Sequence, residues 1–255
     1  MSDFPRTIPP EELIGPVEPV GHGQIRAVSA ITLTGATAVS GTSGPLGNST
    51  DAALLRALRT WSDVVLVGAE TVRAENYGGV AVTSDARAGR TSDGRAPVPP
   101  IAVVTRSFNL SPDSRLFHDT EVTPIILAPA SACAERGLSG ARKAVTAAGG
   151  RIVSTGTGAP DEIVGCLRSA GYHRIVCEGG AQLLGQLVRA GLIDVHHITI
   201  DPSLTLPAHP PLIVDPDSGP GGTPQRHPLG LSGIQATSDG CVFLRYSGKH
   251  TDLTP

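Results

Sequence analysis

Three short segments carry residue types that could bind a small polar ligand. The first, GAETVRAENYGG at residues 68–79, begins with Gly68, which allows the chain to turn sharply. It then offers a hydroxyl, a cation, an acid and an amide on Thr71, Arg73, Glu75 and Asn76. An ordinary surface loop has the same composition, so that alternative stays open.

The second segment is CEGGAQLLGQLV, residues 177–188, in which an apolar run leads into Glu178, Gly179 and Gly180. Glycines let a ligand approach the backbone closely, and the amphipathic helix that follows would present free amides and partial positive charge to a phosphate. A tight strand-to-helix connection uses the same glycines, so the pattern alone does not decide between the two.

The third segment is Thr105, Arg106 and Ser107, directly after the apolar run PIAVV. An arginine with hydroxyls at a strand end can bind a phosphate monoester, such as the 2′-phosphate that distinguishes NADPH from NADH. A solvated surface arginine is the alternative.

The elements that must position these segments follow from the hydrophobic pattern. From Ile25 onward, short β-branched runs alternate with helical patterns, which is typical of crossover units on a largely parallel sheet covered on both faces. Open α/β sheets bind ligands at the carboxyl ends of their strands, so we expect the three segments to converge on one crevice. A helix is predicted at 50–61 with Thr50 as N-cap, another near 133–148, and a C-terminal antiparallel hairpin around Asp239-Gly240.

The remaining segments set the predicted boundaries. Residues 1–23 are rich in Pro and Glu without periodicity and are predicted to be an arm outside the core, followed by a single domain at 24–250. Two stretches crowded with Gly, Pro, Ser and Asp, 78–100 and 202–230, are predicted to be long irregular loops.

Composition excludes several classes of function. With 17% charged residues and a mean hydropathy of +0.06, the chain is expected to fold. An aromatic share of 3% and a net charge of −3 argue against nucleic-acid binding. No run approaches the ~20 apolar residues of a membrane span, and no Cys or His spacing indicates a metal site. We therefore expect a soluble, cytoplasmic protein with reduced thiols and neither metal nor membrane.

Taken in order, these motifs resemble the reductase domain of riboflavin biosynthesis, which shares its fold with dihydrofolate reductase. The resemblance covers roughly Ile25 to Leu204. Its motifs are an SxDG-like strand end at Thr32-Leu33-Thr34-Gly35, the GTSG turn at 41–44, VGAETVRAENY, IAVVTRS, and RIVCEGGAQLL with the downstream GLID and DPSL.

The resemblance implies a dihydrofolate reductase-like α/β fold: a mixed, mostly parallel sheet flanked by helices, with NADPH across the carboxyl ends of the strands. It implies pyrophosphate binding by Gly179, Gly180, Ala181, Gln182 and Leu183. The 2′-phosphate would lie at Thr105, Arg106 and Ser107, and the nicotinamide half at Gly68 and Thr71. Substrate binding is implied for Thr32, Thr34, Ser43, Thr71, Arg73, Glu75, Asn76 and Glu178.

In the family, hydride passes to the ribosyl carbon of a phosphoribosylaminopyrimidine, 5-amino-6-(5-phosphoribosylamino)uracil. Such a reaction needs mainly alignment of donor and acceptor carbons, so no catalytic side chain is assigned. The chain departs from the family at Thr34, which replaces an Asp and offers no fixed negative charge. The zinc deaminase signature of bifunctional relatives is missing, which indicates a stand-alone reductase.

Two other functions stay open at this point. One is a reductase of another pterin or pyrimidine substrate such as dihydrofolate, and the other is a non-catalytic NADPH-binding protein; Thr34 motivates both. Relatives usually form dimers, so a homodimer is expected, with the run GCVFLRYS pairing at the interface.

Overall fold

The computed structural model describes residues 4–19, 21–208, 210–215, 223 and 225–248. They divide into two compact units. The first comprises the described residues of Met1–Pro19, Gln24–Leu58 and Cys177–Pro255, and the second those of Val20–Gly23 and Arg59–Val176. The single domain predicted for 24–250 stays a prediction, and the predicted loop at 202–230 lies partly outside the described residues.

The first unit contains strands β1 (Gln24–Thr32), β7 (Val195–Asp201), β8 (Gly230–Ala236) and β9 (Val242–Ser247), in the order β1-β7-β9-β8. β1 and β7 are parallel, whereas β9 is antiparallel to both β7 and β8. The C-terminal hairpin predicted around Asp239-Gly240 is therefore confirmed.

The second unit contains β2 (Val64–Gly68), β3 (Ile101–Val104), β4 (Ile125–Ala128) and β5 (Arg151–Ser154), and most of β6 (Arg174–Cys177). Their order is β5-β4-β3-β2-β6, and β2 to β5 pair in parallel. Strands β3 and β4 are almost wholly buried, as expected for apolar strands covered on both faces. The predicted fold class, α/β with a mixed, mostly parallel sheet, is confirmed.

Helices connect these strands. In chain order they are α1 (Pro10–Ile14), α2 (Ser49–Trp61), α3 (Ala69–Ala74), α4 (Ser84–Ser92), α5 (Arg115–His118), α6 (Ala130–Ala134), a 3-10 turn (Arg136–Leu138), α7 (Ser139–Ala147), α8 (Pro160–Ser169) and α9 (Ala181–Arg189). The helix predicted near 133–148 is thus interrupted at Glu135, whose side chain accepts a hydrogen bond from Gly137 N at 3.1 Å.

The predicted N-cap of α2 is wrong. Asn48, not Thr50, caps the helix, because Asn48 Oδ1 accepts from the backbone N–H groups of Thr50 at 2.9 Å and Asp51 at 3.1 Å. Thr50 lies inside the helix and is buried.

Part of the predicted N-terminal arm belongs to the core of the first unit. Ile8 and Leu13 are buried, and Leu13 lies on α1. The side chain of Arg26 on β1 is fully buried and donates to the carbonyl oxygens of Ile14 at 2.7 Å and Pro16 at 2.5 Å. A buried guanidinium needs acceptors, and the N-terminal segment supplies them.

The stretch predicted to be irregular at 78–100 contains α4, which is a correction. Thr83 caps this helix by accepting a hydrogen bond from Ala86 N at 3.4 Å. Arg90, buried on α4, donates to the carbonyl oxygens of Thr60 and Ser62 at the end of α2. This helix is therefore anchored to the second unit through main-chain acceptors.

Candidate functional site

In the second unit, two of the predicted segments lie side by side. Gly68 is paired with Val104 in the parallel register of β2 and β3, so the segments that follow both strands leave from one edge. Gly68 is the N-cap residue of α3. Arg73, on α3, is exposed and its Nη1 donates to Asn109 O at 2.9 Å, which links the two segments directly.

The three predicted residues after β3 differ in their surroundings: one is buried and two are exposed. Thr105 is buried, and its hydroxyl accepts from the backbone N–H groups of Phe108 at 3.0 Å and Ser107 at 3.3 Å. Arg106 and Ser107 are exposed. Thr105 therefore shapes the turn, the Ser107 hydroxyl accepts from Asn109 N at 3.4 Å, and the Arg106 side chain is exposed to solvent.

The other polar residues after β2 lie within or just beyond α3. Thr71 is half-buried, and its carbonyl oxygen accepts from Glu75 N at 2.9 Å at the end of the helix. Glu75 is half-buried, whereas Asn76 is exposed and has a left-handed backbone with φ of 48°. Asparagine tolerates this conformation better than most residues do. The left-handed backbone at Asn76 ends the helix.

In the first unit, the Gly179-Gly180 segment leads directly into α9. Gly179 has φ of +85°, and an added Cβ would meet no atom within 4 Å, so its backbone conformation rather than crowding favours glycine. The peptide bond between the two glycines is cis. Gly180 caps α9, and the first turn of a helix leaves backbone N–H groups without intrahelical acceptors. This arrangement can bind an anion.

The three residues that begin α9 differ in exposure. Gln182 is exposed and Ala181 is half-buried, but the Leu183 side chain is buried in the core. Leu183 can therefore offer only its backbone amide to a ligand.

Gly185 on α9 has a packing role that the sequence analysis missed. A Cβ at Gly185 would lie 2.2 Å from Val214 O, and Val214 N donates to Ala181 O at 3.1 Å. The segment around Val214 thus packs directly against α9. The sequence signal for this contact is a glycine inside an otherwise regular helix.

Thr32 and Thr34, at the end of β1, form a threonine cluster with Thr205. The Thr34 hydroxyl oxygen lies 2.9 Å from that of Thr32 and 3.0 Å from that of Thr205, and the Thr32 and Thr205 hydroxyl oxygens are 3.2 Å apart. Sequence reasoning selected Thr32 and Thr34 but missed Thr205, which lies in the predicted loop at 202–230.

One carboxylate, that of Asp201, lies next to this cluster, and a second, that of Asp51, contacts β7. Asp201 is the register partner of Thr32 in β1 and β7, and its Oδ2 accepts from Gly47 N at 3.0 Å. Asp51 Oδ1 accepts from the Thr199 hydroxyl at 2.5 Å. Burial, and secondarily the charge of Asp201, raise the pKa of Asp51 above its usual value. The sequence analysis missed both carboxylates.

Ser43 and Glu178 complete the predicted set. Both are half-buried in the first unit, and Ser43 O accepts from Leu46 N at 2.8 Å. Next to Glu178, burial raises the pKa of the Cys177 thiol to about 12, so Cys177 is not a nucleophile at neutral pH. The predicted residues are divided between the two units, and their convergence on one crevice stays a prediction.

Two further findings concern the described residues alone. Among them, no group of three or more His, Cys, Asp or Glu side chains is placed to hold a metal ion. No helix in this part of the chain has the length and apolar content needed to cross a membrane.

Residues 24–217 match the family model of the RibD C-terminal domain, so the chain belongs to this family. The match includes all of the predicted site residues of both units. A search of curated proteins gives no match.

Several solved structures have a similar fold. A pyrimidine reductase-like protein from Corynebacterium diphtheriae is 27% identical, with a TM-score of 0.77 over 88% of this chain and 91% of that chain. The riboflavin biosynthesis reductase of Saccharomyces cerevisiae is 14% identical, with a TM-score of 0.59 over 93% of this chain and 95% of that chain.

A third structure is the Thermotoga maritima deaminase and 5-amino-6-(5-phosphoribosylamino)uracil reductase. It is 15% identical, with a TM-score of 0.62 over 89% of this chain. This chain spans 56% of the length of that protein.

Proposed function

We propose that the protein is an NADPH-dependent reductase of riboflavin biosynthesis that acts on 5-amino-6-(5-phosphoribosylamino)uracil. The observation that carries the proposal is the family match over residues 24–217. The pyrimidine reductase-like relative at 27% identity supports the same class of reaction.

Each unit carries a segment that fits a phosphate group of such a cofactor. Gly179 and Gly180 would hold the pyrophosphate with the first backbone amides of α9, where Gly179 leaves open space. Arg106 and Ser107, both exposed after β3, would bind the 2′-phosphate. Gly68 and Thr71 would line the nicotinamide half.

When bound, NADPH would supply a hydride to the ribosyl carbon, the ring C–O bond at that carbon would break, and a proton from water would convert the ring oxygen to a hydroxyl, which gives a ribitylamino product. The polar side chains after β2, including Arg73 and Glu75, would orient the substrate. Because alignment of the reacting carbons is the main requirement, no side chain with a perturbed acid–base equilibrium is needed.

The direct test measures NADPH oxidation with 5-amino-6-(5-phosphoribosylamino)uracil as acceptor, with NADH in parallel. We expect turnover that favours NADPH. Dihydrofolate and other pterins serve as control acceptors, and turnover of one of these instead would change the substrate assignment. NADPH binding without turnover of any acceptor would indicate a binding protein and overturn the proposed reaction.

We also propose that the protein forms a homodimer through β8. The expected pairing through the run GCVFLRYS is wrong, because that run forms β9, which pairs with β7 on one side and β8 on the other. β8 ends the strand order of the first unit, and Leu231 and Ile234 on it are 55% and 63% exposed. An exposed edge strand with apolar side chains favours pairing with another chain.

Light scattering should give the mass of two chains for the wild type and of one chain for Ile234→Lys. Val17→Lys, at another exposed apolar residue of the first unit, should remain dimeric. A monomeric wild-type protein would contradict the dimer.

A further inference from the structure

The threonine cluster uses up the hydrogen-bonding capacity of Thr34. A threonine hydroxyl donates one hydrogen bond and accepts two. The Thr34 hydroxyl accepts from Thr205 N at 3.1 Å and lies 3.2 Å from Thr205 O, in addition to its contacts with the hydroxyls of Thr32 and Thr205. Four neighbours therefore share three hydrogen-bonding positions, and none is left for a ligand.

The cluster also ties a distant segment to the end of β1. Thr205 is 171 residues from Thr34 in the chain. Next to this contact, Leu33 N donates to Ser203 O at 2.9 Å, and Thr32 Oγ1 accepts from Ala36 N at 3.2 Å, which fixes the turn after β1. The segment held in this way carries two strongly exposed leucines, Leu204 and Leu206.

We propose that Thr34 and Thr205 are positioning residues, whose hydroxyls fasten residues 203–206 to the end of β1, and that Thr34 does not itself bind the substrate. The cluster itself offers only hydroxyls, and the neighbouring Asp201 carboxylate already accepts from Gly47 N at 3.0 Å and from the Ser203 hydroxyl. Recognition of the pyrimidine at this position would then depend on the shape of the fastened segment rather than on a carboxylate. The role of this segment in pyrimidine recognition rests on the proposed function. The attachment of residues 203–206 to the end of β1 does not.

The test measures amide hydrogen exchange by NMR on the full chain. Thr34→Val removes the acceptor of the Thr205 N–H with little change in volume, so exchange of the Thr205 amide should become at least about tenfold faster. Thr34→Ser keeps the hydroxyl and should stay within about twofold of wild type. The Asp194 amide, which donates to Ile25 O at the other end of β1, should not change in either variant.

The kinetic readout separates positioning from direct binding. If the cluster anchors the segment, Thr34→Val and Thr205→Val should both raise KM for the pyrimidine. Thr34→Ser, which keeps the hydroxyl, should have the wild-type KM. Direct binding predicts a higher KM for Thr34→Val alone, with unchanged exchange at Thr205, and that result would overturn the proposal. If the wild type turns over no pyrimidine, the proposed function fails, but the exchange data still decide whether the cluster fastens the segment.

Discussion

Arg90→Ala is expected to lower the free energy of unfolding by about 3 kcal/mol, the largest stability effect that we predict. The Arg90 side chain is 1% exposed, and its Nη1 donates to Thr60 O at 2.5 Å and Ser62 O at 2.6 Å. Its Nε donates to Ala96 O at 2.8 Å. Alanine would leave these carbonyl groups without a charged donor and would open a cavity.

The buried position of Arg90 disfavours the charged form of its side chain. Burial, followed by the nearby charge of Arg95, lowers the pKa of Arg90 to about 10. The guanidinium therefore stays protonated at neutral pH, and its three hydrogen bonds to carbonyl oxygens remain charge-assisted. Arg95 Nη1 also donates to Trp61 O at 2.7 Å, so part of the cap of α2 would survive the substitution.

Urea unfolding of wild type, Arg90→Ala and Arg87→Ala measures the effect. Arg87 is on the same helix, but its ion pair with Glu121 is 34% and 60% exposed and its Nε donates one hydrogen bond, to Val82 O at 3.0 Å, so its loss should destabilise the fold less than loss of the buried Arg90. A midpoint for Arg90→Ala equal to that of the wild type would show that the buried contacts of α4 do not stabilise the fold.

The strands of the second unit could be predicted because their signal is local. The runs at β2, β3 and β4 are continuously apolar, and the structure buries them. Parallel strands covered on both faces need no polar alternation, so the sequence pattern and the burial coincide.

The helix α4 could not be predicted in the same way. Its sequence, SDARAGRTS, has no apolar face, and its one buried residue is Arg90. Main-chain acceptors at the end of α2, about thirty residues earlier, fix its position. No hydrophobic periodicity encodes a contact between a guanidinium and carbonyl groups.

The candidate site shows the same division between local and distant signals. The segments after β2 and β3 were selected because polar residues at strand ends are visible in the sequence, and the hydrogen bond from Arg73 to Asn109 O joins them. Thr205 was missed because its partner is far away in the chain and its own surroundings have the composition of a loop. The buried Thr105 was selected for its residue type, but its hydroxyl serves the backbone.

Arg106→Ala is expected to weaken NADPH binding roughly ten- to hundredfold while changing NADH binding little. The substitution removes one charge-assisted contact to the 2′-phosphate, worth about 1.5–3 kcal/mol, and NADH has no group at that position. Arg106 is exposed at the end of β3, so its loss should leave the fold intact.

Titration with NADPH and with NADH, monitored by nicotinamide fluorescence, would give the Kd of each cofactor. The proteins compared are the wild type, Arg106→Ala and Arg136→Ala. Arg136 is an exposed arginine in the 3-10 turn of the same unit and lies outside the proposed cofactor site, so its replacement should leave both Kd values at the wild-type level. Unequal losses for the two cofactors in Arg106→Ala would place the 2′-phosphate at the end of β3, because a general loss of structure weakens both equally. Equal losses would instead remove Arg106 from the 2′-phosphate site and leave the Gly179-Gly180 turn as the remaining phosphate contact.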